Sequence, residues 1–246
     1  MEQLLDLIKD SEFCTAFTGA GVSTFSGIQD FRGENGIYRN KKIDADKIFS
    51  LDYFLKDPSY YYHNSKEFIY NIHTLQPSIV HRTLAAMEAR GILKAVITQN
   101  IDMLHQRAGT ANIVELHGTP AEHYCMNCGN TYSFDEISEI VCKDILPICD
   151  ICGGTVKPRI TFFGEMLPEG ALEEAFELAR KTDLMIVLGS TLVVQPAASV
   201  PALAVRSGAK LVIVNDMPTP LDHMAVLRCK DLEEVCTFLG VQLFAE

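Results

Sequence analysis

The sequence predicts an α/β fold, a parallel sheet covered by helices on both faces, with a small cysteine-bearing module set into it. Three observations carry this. Short, fully apolar runs such as LKAVIT, LMIVL and KLVIV alternate with helix-length amphipathic segments, the pattern of strands buried on both faces. The runs end in small or polar residues. Between residues 120 and 158 this pattern gives way to paired cysteines punctuated by glycine and proline.

Taken in order, residues 2–10 set Leu4, Leu5, Leu7 and Ile8 on one helical face. FCTAFTGAG (13–21) reads as a buried strand and a tight glycine turn. Residues 24–48 lack periodicity and read as a long loop. Residues 50–90 are helical. Ser78 caps a helix that Ile79, Leu84, Met87 and the stem of Arg82 cover on one side, and Gly91 stops it. LKAVITQ (93–99) and NIVEL (112–116) are strands, and the main pattern resumes at RITFF (159–163). Pro168 opens a helix with Glu169, Glu173 and Glu174 early and Arg180 and Lys181 late, as the helix dipole favours. LMIVLGS (184–190) and KLVIVN (210–215) are strands around a helix at 195–207, and Asp231 caps a last helix to residue 239. The implied division is a discontinuous sheet domain (1–34, 78–119 and 159–246), a helical part (35–77) and a metal module (120–158).

The 246 residues carry 21 basic and 32 acidic side chains, a formal net charge of −11, and 48% of them are hydrophobic. That apolar content excludes a disordered chain, and the acidic balance argues against nucleic-acid binding, which needs a positive footprint. With neither a basic-then-apolar leader nor a run of 18 apolar residues, the expected location is the cytoplasm, without a membrane partner.

A chain of this size does not depend on disulfides to fold, so its eight cysteines need another reason. Cys125-x2-Cys128 and Cys149-x2-Cys152 are two knuckles at the spacing of a four-thiolate metal site, each followed by a glycine, Gly129 or Gly153. Four sulfur ligands leave no open coordination position, so the ion is structural: zinc, with an iron–sulfur centre as the alternative. Cys142 is a substitute ligand without a partner at knuckle spacing, while Cys14, Cys229 and Cys236 read as packing residues.

Ligands of open parallel sheets bind beyond the carboxyl ends of the strands. Those ends here are GAG (19–21), TQN (98–100), LHG (116–118), LGS (188–190) and VND (214–216). GAGVST (19–24) begins as a dinucleotide fingerprint, but Thr24 stands where Gly or Ala is required, so a plain strand–turn remains open. GSTL (189–192) offers a second phosphate cradle, and Asn215 and Asp216 a ribose contact. The polar side chains of TQNID (98–102) serve either as helix caps or as ligand contacts, and Asp102 is placed to cap MLHQRAG. His117 is either structural or a general base.

In this order, GAGVS (19–23), GIQDFRG (27–33), TQNID with Leu104-His105, ELHG (115–118), the paired knuckles, ITFFGE (160–165), GSTLVVQP (189–196) and VN (214–215) resemble the sirtuins, NAD-dependent protein deacylases, over about residues 12–240. The resemblance implies an inverted Rossmann-like domain and a smaller zinc-binding and helical module, with NAD between them and an acetyl-lysine peptide entering from the other side. It assigns Gly19, Ala20, Gly21, Ser23, Asp30, Phe31 and Arg32 to the cofactor loop, and Gln99, Asn100, Ile101 and Asp102 to the ribose and nicotinamide pocket. His117 is the implied base, with Asn100 and Asp102 as catalytic companions. Gly189, Ser190, Thr191, Asn215, Asp216 and Met217 fall on the phosphate and adenosine side, with Asp231 and Leu232 at adenine. Phe163, Gly164, Glu165 and Val193 are the implied strand-like contacts to the peptide.

Three departures bear on this. Gln29 replaces a usual proline, which leaves its loop less constrained, and Arg159 stands where Asn or Asp is common, near the channel. Tyr62-His63-Asn64-Ser65 lacks the arginine of the Tyr-x-x-Arg pair of succinyl- and malonyl-selective relatives, so a neutral acyl group is expected. ADP-ribosyl transfer on the same scaffold and a zinc-ribbon nucleic-acid binder are the competing readings.

Overall fold

The computed structural model describes residues 1–30, 44–71 and 74–244. Phe31, Arg32 and much of the expected 24–48 loop lie outside the described residues.

Among these, six strands pair in parallel: β1 (Cys14–Thr18), β2 (Leu93–Thr98), β3 (Ile113–Glu115), β7 (Leu184–Leu188), β8 (Lys210–Val214) and β9 (Leu227–Cys229). Their order is β3-β2-β1-β7-β8-β9. Every residue of β1 and β7 is buried, as continuous apolar runs in a doubly covered sheet should be. On one face α1 (Glu2–Lys9), α5 (Ile79–Ala89) and α10 (Leu232–Phe244) bury Leu4, Ile8, Leu84, Met87, Val235 and Leu239 against Ala16, Val96, Ile186 and Val212. On the other, α8 (Ala171–Lys181) and α9 (Ser199–Arg206) pack Ala175, Ala179 and Ala204 against Phe17, Ile97, Val187 and Ile213. Each fully buried aliphatic side chain contributes about 1.5–3 kcal/mol. No helix of the described residues is long and apolar enough to cross a membrane.

A second, antiparallel sheet holds β4 (Gly118–Cys125), β5 (Thr131–Ser133) and β6 (Val156–Ile160) in the order β5-β4-β6. Its core is shared with α2 (Ala45–Ile48), α3 (Leu51–Lys56), α4 (Pro58–Ser65), the π turn Lys66–Tyr70 and α7 (Phe134–Cys142). Phe54, Tyr61, Tyr62, Tyr70, Phe134 and Phe162 fill it. The short α6 (Leu104–Arg107) follows β2.

The structure corrects several boundaries. The main sheet does not resume at 159–163: Val156–Ile160 pairs antiparallel with β4, and the next strand of the main sheet is β7. An apolar run alone does not say which sheet it joins. The GAG turn is the start of a 3₁₀ helix, Ala20–Ser26. The helix expected from Pro168 begins at Ala171, because Gly170 at its N-cap takes a left-handed φ of 79°. The helix expected from 195 begins at Ser199, and the last one continues past 239 to Phe244. Arg159 is turned away from the cavity described below: it pairs with Glu122 and lies 4.9 Å from the Tyr124 ring centroid.

Candidate active site and metal centre

From β1 the chain steps outward through β2 to β3 on one side and returns through β7 to β9 on the other, so the order reverses between β1 and β7. A crevice at that reversal is where ligands of open α/β sheets bind. The two strand ends meet there backbone to backbone. The Gly21 N–H donates to the Gly189 carbonyl at 2.9 Å, and the Gly19 N–H donates to the Leu188 carbonyl at 3.1 Å. A Cβ on Gly21 would lie 2.8 Å from Gly189 Cα, and one on Gly189 would lie 2.6 Å from Val22 N. Glycine is required by this approach, and Gly189 also has a φ of 62°.

The end of β2 adds a buried polar cluster. Asn100 donates through Nδ2 to the Gly19 carbonyl at 3.1 Å and to Ser23 Oγ at 3.2 Å. Ser23 donates to Asp102 Oδ2 at 2.5 Å, and Asp102 Oδ1 accepts the Leu104 N–H at 3.0 Å. Asp102 therefore both takes up the first N–H of α6 and fixes Ser23, and burial raises its pKa. Gln99 Nε2 donates to Ser190 Oγ at 2.8 Å, joining the ends of β2 and β7.

His117 Nδ1 lies 2.9 Å from the Gln99 carbonyl oxygen. A carbonyl only accepts, so Nδ1 carries the proton and Nε2 keeps its lone pair. Burial holds the pKa of His117 below the ordinary 6.5, while the Gln99 carbonyl pulls it the other way.

These groups open on one cavity of about 800 Å³. Its wall carries Gly19, Ala20, Gly21, Ser23 and Asp30; Gln99, Asn100, Ile101, Asp102 and His117; and Gly189, Ser190, Thr191, Asn215 and Met217. Phe163, Gly164, Glu165 and Val193 line it too. Apolar side chains from the second core, Phe49, Phe68, Ile69 and Phe162, also belong to the wall. No Lys or Arg is found among the described lining residues.

The four knuckle cysteines come together away from this cavity. All four Sγ atoms lie within 4.8 Å of one another, with Cys125–Cys152 at 3.5 Å and Cys128–Cys149 at 3.6 Å. Sulfurs on a tetrahedral zinc sit about 3.8 Å apart for a Zn–S bond of about 2.3 Å, whereas a disulfide needs about 2 Å. The thiolate set therefore fits one zinc. Gly129 and Gly153 turn the knuckles at φ 76° and 71°. Cys142 stands apart, with its Sγ 3.4 Å from Asn71 Oδ1. Cys14 and Cys236 are buried in the first core, and Cys229 packs against it.

The sequence pattern of the Sir2 family matches residues 19–196. The chain belongs to the Sir2 family. It is 46% identical over 228 residues to the NAD-dependent protein deacetylase of Thermotoga maritima, covering 93% of this chain and 92% of that one. It is 44% identical over 218 residues to the NAD-dependent protein deacylase 2 of Archaeoglobus fulgidus, covering 88% and 85%. A solved Sir2 complex with p53 peptide and NAD+ superposes with a TM-score of 0.90 at 43% identity, covering 100% of this chain and 99% of that one. A Sir2 variant with deacetylated p53 peptide and 3'-O-acetyl ADP-ribose gives 0.91 at 44% identity, covering 99% and 98%.

In this Sir2-family chain three of the residues expected at the cofactor do not reach the cavity wall: Asp216, Asp231 and Leu232. Asp231 caps α10 by accepting the N–H groups of Glu233 and Glu234 at 2.8 and 3.0 Å, and Leu232 is buried in the first core. Phe31 and Arg32 lie outside the described residues. Two supports were not legible in the sequence. Arg228 donates to the carbonyls of Asn215, Asp216 and Met217 at 3.2, 3.3 and 2.8 Å, bracing the end of β8 from β9. Beneath the cluster, Thr98 Oγ1 accepts from the Asn100 N–H at 3.0 Å and from Thr18 at 2.8 Å, and Thr18 Oγ1 lies 3.0 Å from His105 Nε2. The His81 ring stands 4.6 Å from that of His105. The one available signal was the presence of polar residues inside otherwise apolar strands.

Proposed function

We propose that this chain is an NAD-dependent protein-lysine deacetylase, transferring the acetyl group of acetyl-lysine to ADP-ribose with release of nicotinamide. The carrying observation is a half-buried His117 with its proton fixed on Nδ1, sharing one cavity with the glycine junction and the Asn100–Ser23–Asp102 cluster. The names of the Thermotoga and Archaeoglobus relatives and the Sir2 complexes support the same reaction.

NAD, when bound, supplies an activated ribose carbon with nicotinamide as its leaving group. Gly19, Ala20, Gly21, Asp30, Gly189, Ser190, Thr191, Asn215 and Met217, all on the cavity wall, would hold its diphosphate and adenosine. Asn100 and Ile101, on the same wall, would face the ribose and carboxamide, and Asp102 holds Ser23 and the start of α6 in register. His117 Nε2 accepts a ribose hydroxyl proton, activating that oxygen toward the acyl carbon. Phe49, Phe68, Ile101 and Phe162 keep water from the reacting carbon. The peptide adds along Phe163, Gly164 and Glu165, opposite Val193. A neutral acyl group suits a wall without Lys or Arg among its described residues. Cys125, Cys128, Cys149 and Cys152 hold one structural zinc. The expected division (1–34, 78–119 and 159–246; 35–77; 120–158) separates most of the two sheets, with β4 from Gly118 and β6 to Ile160 crossing its edges, and eight cysteines free of disulfides suit a cytoplasmic protein.

Mass spectrometry of a reaction with NAD and an acetyl-lysine peptide tests this. O-acetyl-ADP-ribose formed one-to-one with nicotinamide is the expected result. Nicotinamide release without acetylated peptide, with ADP-ribose appearing on protein, would instead establish ADP-ribosyl transfer.

A further inference from the structure

Lys157, on β6, is 1% exposed, although an ammonium group is costly to bury unless it is paired and hydrogen-bonded. Its Nζ lies 2.9 Å from Glu165 Oε2 and donates to the carbonyls of Ile160 at 2.8 Å and Pro158 at 3.2 Å. It also sits 4.2 Å from the centroid of the Phe162 ring. Lys157 does not line the cavity, but Glu165 does.

The carboxylate that Lys157 holds closes a turn. Glu165 Oε2 accepts the Phe162 N–H at 2.7 Å, and the Glu165 N–H donates to the Phe162 carbonyl at 3.0 Å. The turn encloses Phe163 and Gly164, and Gly164 takes a φ of 99° that glycine alone adopts readily. From the side, the Phe163 N–H donates to the Phe49 carbonyl at 2.6 Å, and its own carbonyl accepts the Leu51 N–H at 3.2 Å. The segment is thus pinned laterally by 49–51 and from beneath by Lys157.

We propose that Lys157 is a positioning residue for the acyl-lysine peptide. Acting through Glu165, it holds Phe163 and Gly164 where an extended peptide adds to their edge. The substrate class rests on the deacetylase reading above. Replacing Lys157 by Met keeps most of its volume and its contact with Phe162, and the released Glu165 carboxylate, 20% exposed, turns to water. The fold therefore survives while the turn loosens. Because Lys157 acts through one partner, its effect depends on that partner.

The test is steady-state kinetics of the full chain, varying acetyl-lysine peptide and NAD separately. K157M raises the peptide KM about tenfold, with the NAD KM and kcat within about twofold. K157R recovers to within about threefold, and adding K157M to E165Q costs less than a further twofold or so. Binding of a fluorescent acetyl-lysine peptide, read by anisotropy without NAD, falls in parallel. A lowered thermal midpoint with unchanged peptide KM and binding would show a merely structural lysine and overturn the proposal. Wild-type chain that binds the peptide but makes no O-acetyl-ADP-ribose would sink the deacetylase reading alone, and the anisotropy comparison would still decide Lys157. A wild-type chain that does not bind the peptide overturns both.

Discussion

His117 donates its Nδ1–H to the main-chain carbonyl of Gln99 across 2.9 Å, and that bond decides which imidazole nitrogen is free to act as a base. The partner is backbone at the end of β2, so the tautomer is set by the fold and not by another titrating side chain.

Substituting His117 by Ala is expected to lower acetyl-peptide turnover by about 10²–10⁴-fold, the usual worth of a general base. Thermal stability and zinc content stay unchanged. The active form is the neutral imidazole, so kcat/KM falls as pH drops through the pKa of His117. Burial lowers that pKa, and the acid limb of the profile therefore has its midpoint below 6.5. A midpoint above 6.5 would contradict the burial argument.

Gly21→Ala places a methyl group 2.8 Å from Gly189 Cα and 2.9 Å from its carbonyl oxygen, and neither backbone atom can give way. The ends of β1 and β7 must separate. NAD affinity, measured by calorimetry, is expected to fall at least about tenfold, or about 1.4 kcal/mol. Gly240→Ala is the control. It lies within α10 with nothing near its Cβ position, and it should gain about 0.5–1 kcal/mol of stability with NAD binding intact.

One zinc per chain is expected by elemental analysis. Cys128→Ala or Cys149→Ala should abolish it, while Cys14→Ala, Cys142→Ala and Cys236→Ala should retain it. Loss of zinc from the Cys142 variant would put that thiol in the site after all.

Burial pushes His81 down to about 2, His105 down to about 4 and His123 down to about 3. Each stays neutral in the folded chain and gains a proton on unfolding once the pH is below 6.5. The unfolded state then binds more protons, so stability is complete above 6.5 and declines as pH falls. The decline is up to about 1.4 kcal/mol per pH unit for each histidine. His105 stops contributing near pH 4, His123 near 3 and His81 near 2. Guanidinium midpoints at pH 7.5, 6.0 and 5.0 should fall in that order, and a flat series would exclude the effect.

Succinyl-lysine peptide should be turned over at least about tenfold less efficiently than acetyl-lysine peptide, since a buried carboxylate without a cation is costly. Within the Tyr62–Ser65 stretch, Ser65 is buried, and neither it nor Tyr62 lines the cavity. The Tyr62 hydroxyl instead donates to the Val156 carbonyl at 2.8 Å. Competition between the two peptides measures the ratio.

The sequence by itself determined the chemistry-bearing pieces. Apolar runs too long to alternate had to be doubly buried strands, two CxxC knuckles had to converge on one soft ion, and glycine and polar residues at strand ends had to gather where strand order reverses. These are local rules, and β1, β2, β7, β8 and the four-thiolate cluster obey them. Only the tertiary structure decided the rest. The strand at 156–160 joined the small sheet because β4 supplies its antiparallel partner. Arg228 reached from β9 to the carbonyls of Asn215, Asp216 and Met217 at the end of β8. Lys157 came to rest under Glu165, and His81 beside His105, through contacts between separate elements. Such contacts depend on which elements pack together and on their register, and no local pattern of residues encodes either.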